Sequence, residues 1–194
     1  MSPLTEAPPF GVVLTGGASR RMGRTKALVE IDGVPMAAMV AASLRAAGCV
    51  RVVAVGGDPG ELAALDLPVL PDDHPGEGPL TGLATAMRVF EMHGLADLLV
   101  VACDLPFVGP ADLGRLVQAA REHPDVDVAV ARTGHREPAC AVWRPSSRSA
   151  VGVAFDAGER AVHRVLDSLV VVEVPVSASA LRNINTPDDV DRYP

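Results

Sequence analysis

The segment Leu14-Thr15-Gly16-Gly17-Ala18-Ser19-Arg20-Arg21-Met22-Gly23-Arg24-Thr25-Lys26 combines three glycines with four cations. Glycines let backbone N–H groups close on an anion. Arg20, Arg21, Arg24 and Lys26 gather positive charge in a chain whose formal net charge is −7. That combination suits a polyanion such as a triphosphate. A solvated basic loop, with glycines serving only for turning, has the same composition. The familiar phosphate-binding spacings are absent. A P-loop places Lys directly after its second glycine, whereas Arg24 follows Gly23. The G-x-G-x-x-G spacing of a dinucleotide fingerprint is missing too. A second locus is Asp104, in Ala102-Cys103-Asp104-Leu105-Pro106-Phe107, directly after the apolar run from Leu98. A carboxylate at the end of a buried strand is placed to hold Mg²⁺, which favours one or two carboxylates together with phosphate oxygens and water. An aspartate before a Pro-containing turn equally serves as a cap. Cys103 beside it reads as a small buried hydrophobe and not a nucleophile. The five histidines show no ligand spacing.

The elements that must position these loops alternate. Phe10 to Leu14 reads as strand one, and Ala27 to Ile31 as a brief extended piece closed by Asp32-Gly33. Pro35 to Ala47 reads as a helix stopped by Gly48. Val50–Val55 and Leu67–Leu70 are the next strands, with Gly56 to Pro59 a turn between them. Pro71 to Pro79 is a loop and Leu80 to His93 a helix. Leu98 to Ala102 is apolar throughout, as expected of a strand buried on both faces of a parallel sheet. There follow a helix (110–122), strands (127–131 and 139–143), helices (146–155 and 158–168), a strand (170–175) and a final helix (186–193). This alternation predicts βαβ units on a mostly parallel sheet with helices on both faces. Such sheets bind ligands beyond the carboxyl ends of their strands, where the strand order switches.

Composition sets limits. The 194 residues fit a single domain spanning 1–194, with residues 1–9 as a flexible N-terminal tail. Acidity and an aromatic content of 3% argue against nucleic acid as a partner. The three cysteines, Cys49, Cys103 and Cys140, form neither a disulfide framework nor a metal spacing, which fits a reducing, cytoplasmic location. There is no signal-peptide pattern and no apolar run long enough to span a membrane.

The pattern L-x-G-G-x-S-x-R-M-G-x-x-K, carried by Leu14, Gly16, Gly17, Ser19, Arg21, Met22, Gly23 and Lys26, resembles the signature of the MobA-like nucleotidyltransferases. The resemblance runs from Gly11 to Val190. It implies a three-layer α/β/α Rossmann-like nucleotidyltransferase fold with a mostly parallel central sheet. It also implies an activity: transfer of GMP from GTP to the terminal phosphate of molybdenum cofactor (Mo-molybdopterin), with release of pyrophosphate. Arg21, Lys26 and Asp104 would be the catalytic residues, with Mg²⁺ on Asp104. Leu14, Thr15, Gly16, Gly17, Ser19, Arg21, Lys26 and Asp104 would contact the nucleotide.

Pro71-Asp72-Asp73 and Gly78-Pro79-Leu80-Thr81-Gly82 are similar to the family's D-x(n)-G-P-L-x-G segment. This implies that Asp72, or Asp73 with a shift of one residue, faces the base together with Gly78, Pro79, Leu80 and Gly82. An aspartate matches the two N–H donors of a guanine edge. Asn183 and Asn185, in a segment similar to the family's N-x-N-T-P motif, would bind the acceptor, while Thr186 and Pro187 read as a helix start. Arg136 and Arg160 lie in looser matches and would meet the acceptor's phosphate. Strand two departs from the pattern. It ends Val55-Gly56-Gly57 where guanylyl-transferring relatives carry an asparagine, so that contact is missing or made by backbone. Relatives that use CTP tend to have alanine at the first glycine of the doublet, so Gly16 favours guanine. Three alternatives share this sequence: a CTP-using cytidylyltransferase of the same fold, a relative with another phosphorylated acceptor, and a non-catalytic nucleotide-binding chaperone for molybdoenzyme maturation. Partners beyond GTP and molybdopterin would be such chaperones or the apo-molybdoenzymes.

Overall fold

The computed structural model describes residues 7–16, 25–91, 96–185 and 189. In chain order it begins with strand β1 (Phe10–Leu14), the short hairpin β2 (Glu30–Ile31) and β3 (Val34–Pro35), and helix α1 (Met36–Ala46). Next come β4 (Val52–Val55), α2 (Pro59–Leu62), β5 (Val69–Leu70), α3 (Pro79–Glu91), β6 (Leu98–Ala102) and α4 (Pro110–Glu122). The remainder is β7 (Val128–Arg132), β8 (Arg136–Trp143), α5 (Arg148–Asp156), α6 (Val162–Val165) and β9 (Val171–Pro175).

Seven of these strands form one sheet in the order β5-β4-β1-β6-β8-β7-β9. All neighbours run parallel except at β8, which is antiparallel to both β6 and β7. The apolar runs alternate sides with the period of two that a strand imposes. Val13, Leu99 and Val101 pack with α1 and α4 on one face. Val12, Leu14, Leu98 and Val100 pack with α3, α5 and α6 on the other. Each fully buried Val or Leu contributes about 1.5–3 kcal/mol. The two apolar layers therefore hold the three-layer α/β/α arrangement, and the loops at the strand ends are left to carry charge.

Strand order reverses at β1, whose neighbours are β4 on one side and β6 on the other. The carboxyl ends of β1, β4, β6, β7 and β9 share one edge, and antiparallel β8 brings its amino end to the same edge. The crevice beyond β1 is thus the place where such sheets bind ligands.

Several boundaries differ from the sequence expectations. The piece expected to be extended from Ala27 begins as a 3₁₀ turn, Lys26–Leu28, and only Glu30–Ile31 pairs as a strand. Pro35 closes the hairpin and precedes α1, and does not sit inside it. The turn after β4 runs into α2, because Asp58 accepts the Glu61 N–H at 2.9 Å and Pro59 opens the helix. The helix expected from Gly158 begins only at Val162. Pro9, expected in a flexible tail, is buried, and its carbonyl accepts the Val50 N–H at 3.2 Å. The helix expected over 186–193 lies outside the described residues, apart from Asp189. No helix among the described residues is long and apolar enough to cross a membrane.

Candidate active site

Lys26 and Asp104 are far apart in sequence and meet at the sheet's carboxyl edge. Lys26 Nζ lies 2.8 Å from Asp104 Oδ2, both side chains about four-fifths covered, at 18% and 22% exposure. Lys26 also donates to Asn185 Oδ1 at 2.6 Å. Local packing sets each of the three. Ala27 is fully buried against α1's layer and pins the 3₁₀ turn that presents Lys26. Leu14 pairs with Ala102, so the chain after β6 emerges beside the loop after β1, and Cys103 N–H donates to the Leu14 carbonyl at 3.0 Å. Ile184 is fully buried with Ile31 and Met36, and its N–H donates to the Asp104 carbonyl at 3.0 Å. Burying Ile184 holds its exposed neighbour Asn185 at the site. Sequence reasoning placed Asn185 on the acceptor side; its carboxamide stands with Lys26 and Asp104. Burial and the Asp104 charge raise the Cys103 thiol to about 12, so it stays protonated and acts as a hydrophobe.

The loop after β1 is described as far as Thr15 and Gly16. Thr15 and Gly16 N–H groups both donate to the Val55 carbonyl, at 3.0 and 3.3 Å. Those two amides continue the pairing of β1 with β4. The Thr15 hydroxyl is buried against the Val55 and Gly56 carbonyls. Gly17, Ser19 and Arg21 lie outside the described residues. The departure in strand two has a physical reason. Gly56 has φ +86°, and a Cβ there would lie 2.8 Å from the Gly16 Cα. Two backbones pass at a distance that only glycine allows.

Asp72 sits under the same crossing. A Cβ on Gly16 would lie 3.6 Å from Asp72 Oδ2. Asp72 Oδ1 accepts the His74 N–H at 3.0 Å, and Oδ2 accepts the Thr81 hydroxyl at 2.7 Å. Asp73 pairs with Arg88 and lines the groove between α3 and α5, whereas Asp72 lies against Gly16 at the crevice. Gly78, at φ +120°, brings the loop within 3.0 Å of the Arg160 carbonyl, measured from a would-be Cβ, and Pro79 opens α3. Leu14 and Leu80, expected to contact nucleotide, have side chains buried in the core, at 7% and 0% exposure. Gly82 lets α3 approach β1, its would-be Cβ 3.1 Å from Leu14.

The two looser segments meet around one cavity of about 800 Å³ lined by Pro79, His135, Arg136, Glu137, Arg160 and His163 among others. The arginines expected to meet a phosphate are otherwise engaged. Arg160 donates to Glu77 at 2.7 Å and to the Phe155 and Glu159 carbonyls, and stacks over the Phe155 ring. It clamps the Gly78 loop to the α5–α6 connection. Arg136 pairs with Glu173 at 2.7 Å, a carboxylate shared with Arg132. Asn183 is exposed. A larger groove of about 870 Å³ runs between α3 and α5, and none of Lys26, Asp104 and Asn185 lines it.

Sequence reasoning passed over Glu137. A register shift after Val130 bulges β8, so Glu137 pairs with Ala131 although Ala141 pairs with Val130. Bulges of this kind re-aim side chains beside sites. Burial raises the Glu137 carboxyl above its ordinary range and the charge of Asp104 adds to the shift, against the Ala139 N–H and His135. The Arg-Glu-Pro run, a charge directly before a proline inside a strand, was the available signal.

Residues 11–174 match the family of MobA-like NTP transferase domains. A molybdenum cofactor guanylyltransferase from Rhodobacter capsulatus is 38% identical over 94% of this chain and 93% of its own. Another of that name from Cereibacter sphaeroides is 35% identical over 94% of each chain. Among solved structures, the molybdopterin-guanine dinucleotide biosynthesis protein A of Archaeoglobus fulgidus superposes with a TM-score of 0.76 at 28% identity, covering 94% of this chain and 95% of that one.

Proposed function

The chain belongs to the MobA-like NTP transferases, and from that membership we propose that it transfers GMP from GTP to the terminal phosphate of molybdenum cofactor, giving the guanine dinucleotide form and pyrophosphate. The observation that carries the reading is the meeting of Lys26, Asp104 and Asn185 beyond β1, where the strand order reverses. An oxygen of the acceptor's phosphate attacks the α-phosphorus in line, and the bond to the bridging oxygen of pyrophosphate breaks. The attacking group is already anionic, so no strong general base is required. Catalysis then consists of positioning and charge neutralisation. Lys26 meets the charge that develops on the α-phosphate. Two hard oxygens, Asp104 Oδ2 and Asn185 Oδ1, already converge on a cationic group, so this donor set fits Mg²⁺. Bound there, Mg²⁺ supplies Lewis-acid neutralisation of phosphate oxygens.

Asp72 accepts from the guanine edge with the acceptor capacity left beyond His74, Thr81 and the 3.5 Å contact from the Thr85 hydroxyl. Gly16 leaves that carboxylate uncovered, where a methyl group would lie 3.6 Å from Oδ2. The pterin end of the acceptor takes the cavity at Glu137. GTP labelled at its α-phosphate, incubated with Mg²⁺ and molybdenum cofactor, should pass its label into a pterin-containing dinucleotide. Label that stays in GTP while the cofactor is bound would reject the reading.

A further inference from the structure

Lys26 is the only lysine of this chain, which otherwise carries sixteen arginines. The two cations differ physically. A guanidinium is a flat fork suited to two parallel hydrogen bonds, whereas an ammonium is a compact point charge with donors directed around it. Among side chains, the ammonium is thus the closer stand-in for a metal ion. The surroundings of Lys26 fit that comparison. Its Nζ lies 2.8 Å from a carboxylate oxygen and 2.6 Å from a carboxamide oxygen. The two oxygens come from separate parts of the chain, one after β6 and one after the buried Ile184, and both positions are fixed by backbone anchoring. Asn185 is tied further by its N–H, which donates to Asp189 at 3.0 Å.

We propose that Lys26 and the divalent cation occupy this seat in turn. Without nucleotide, the ammonium sits between Asp104 and Asn185; a metal-loaded triphosphate draws it onto the phosphates and the metal takes its two oxygens. Asn185 is then a metal ligand and not an acceptor contact. Lys26 suppresses metal binding to the empty protein, so metal and nucleotide arrive together. This rests on the reading of Asp104 as the metal-bearing carboxylate of a nucleotidyltransferase.

The test needs neither turnover nor acceptor. Mn²⁺ binding to the nucleotide-free protein is measured by electron paramagnetic resonance for the wild type, Lys26→Met, and Lys26→Met combined with Asp104→Asn or Asn185→Leu. An opposite charge so close to a partly covered carboxylate is a strong competitor, so Lys26→Met should bind Mn²⁺ at least about tenfold more tightly than the wild type. Each double variant should lose that gain. Unchanged or weaker binding by Lys26→Met overturns the exchange. A Lys26→Met, Asn185→Leu protein that keeps the full gain removes Asn185 from the metal.

A second measurement uses the unaltered protein, so no variant has to fold. Labelled with ¹³C at the lysine ε-carbon, it gives one side-chain signal. That signal should stay in place with moderate Mg²⁺ alone and move when Mg²⁺ and GTP are added together. A signal that stays in place with Mg²⁺ and GTP both bound means that the lysine does not leave its seat, and the proposal fails. Transfer of GMP by the wild type bears on the proposed activity separately: a working transferase with an unmoved lysine signal loses only the exchange.

Discussion

On the proposed mechanism Lys26 meets the charge that develops during transfer, and its ion pair with Asp104 is partly open to solvent. A pair of that kind is worth about 0–1 kcal/mol to the fold. Lys26→Ala should therefore lower turnover by about 10²–10³-fold, as removal of a preorganised electrostatic stabiliser does, while the thermal midpoint moves little. Steady-state rates set beside a melting curve check both halves, and a near-wild-type rate would remove Lys26 from the chemistry. Glu137 gives a pH prediction. Burial raises its carboxyl above the ordinary 4.5 in the folded protein. The folded state then binds the proton more tightly than the unfolded chain does, so stability is full below about pH 4.5 and falls as pH rises through the folded value. Glu137→Gln keeps the contact with the Ala139 N–H and removes the charge. It should stabilise the protein at neutral pH, with the gain vanishing below about pH 4.5. Urea unfolding across that range reads it, and a gain that grows towards acid would contradict the cause assigned.

Elements explain what the residues alone do not. The strands β1 and β6 and the helix α4 match the sequence reading at both ends, because unbroken apolar runs and a Pro start leave few alternatives. The sequence was less informative where contacts distant in the chain decide. The short helix α2 depends on Asp58 turning back on Glu61, and Gly56 depends on Gly16 lying against it. Site residues follow the same division. The meeting of Lys26 and Asp104 follows from loops expected at the ends of β1 and β6, whereas Arg160 becomes a clamp only once Glu77 and Phe155 are beside it. Asn185 joins Lys26 only because Ile184 is buried nearby. Gly56 gives a test at this scale. Gly56→Ala meets backbone at 2.8 Å as well as a positive φ, while Gly158→Ala, at φ +85°, meets nothing within 4 Å. Left-handed backbone costs a non-glycine residue about 1–2 kcal/mol. Gly158→Ala should lose about that much stability, and Gly56→Ala clearly more, with weakened nucleotide binding. Equal losses by chemical denaturation would show that the close crossing of Gly16 and Gly56 does not matter.

For the whole molecule, one reversal of strand order gathers the loops after β1, β4 and β6 at a single edge, and antiparallel β8 adds the cavity at Glu137 beside them. On the proposed reading, nucleotide and acceptor are thereby set on adjoining parts of one edge, as direct transfer between them requires. The most direct test of this account is pyrophosphate release in the presence of Mg²⁺ and molybdenum cofactor, with GTP, CTP, ATP and UTP compared in turn. The account predicts release with GTP and not with the other three. Release with CTP in its place would contradict the assignment of Asp72 and Gly16 to guanine, and binding of all four without release would contradict the transfer itself.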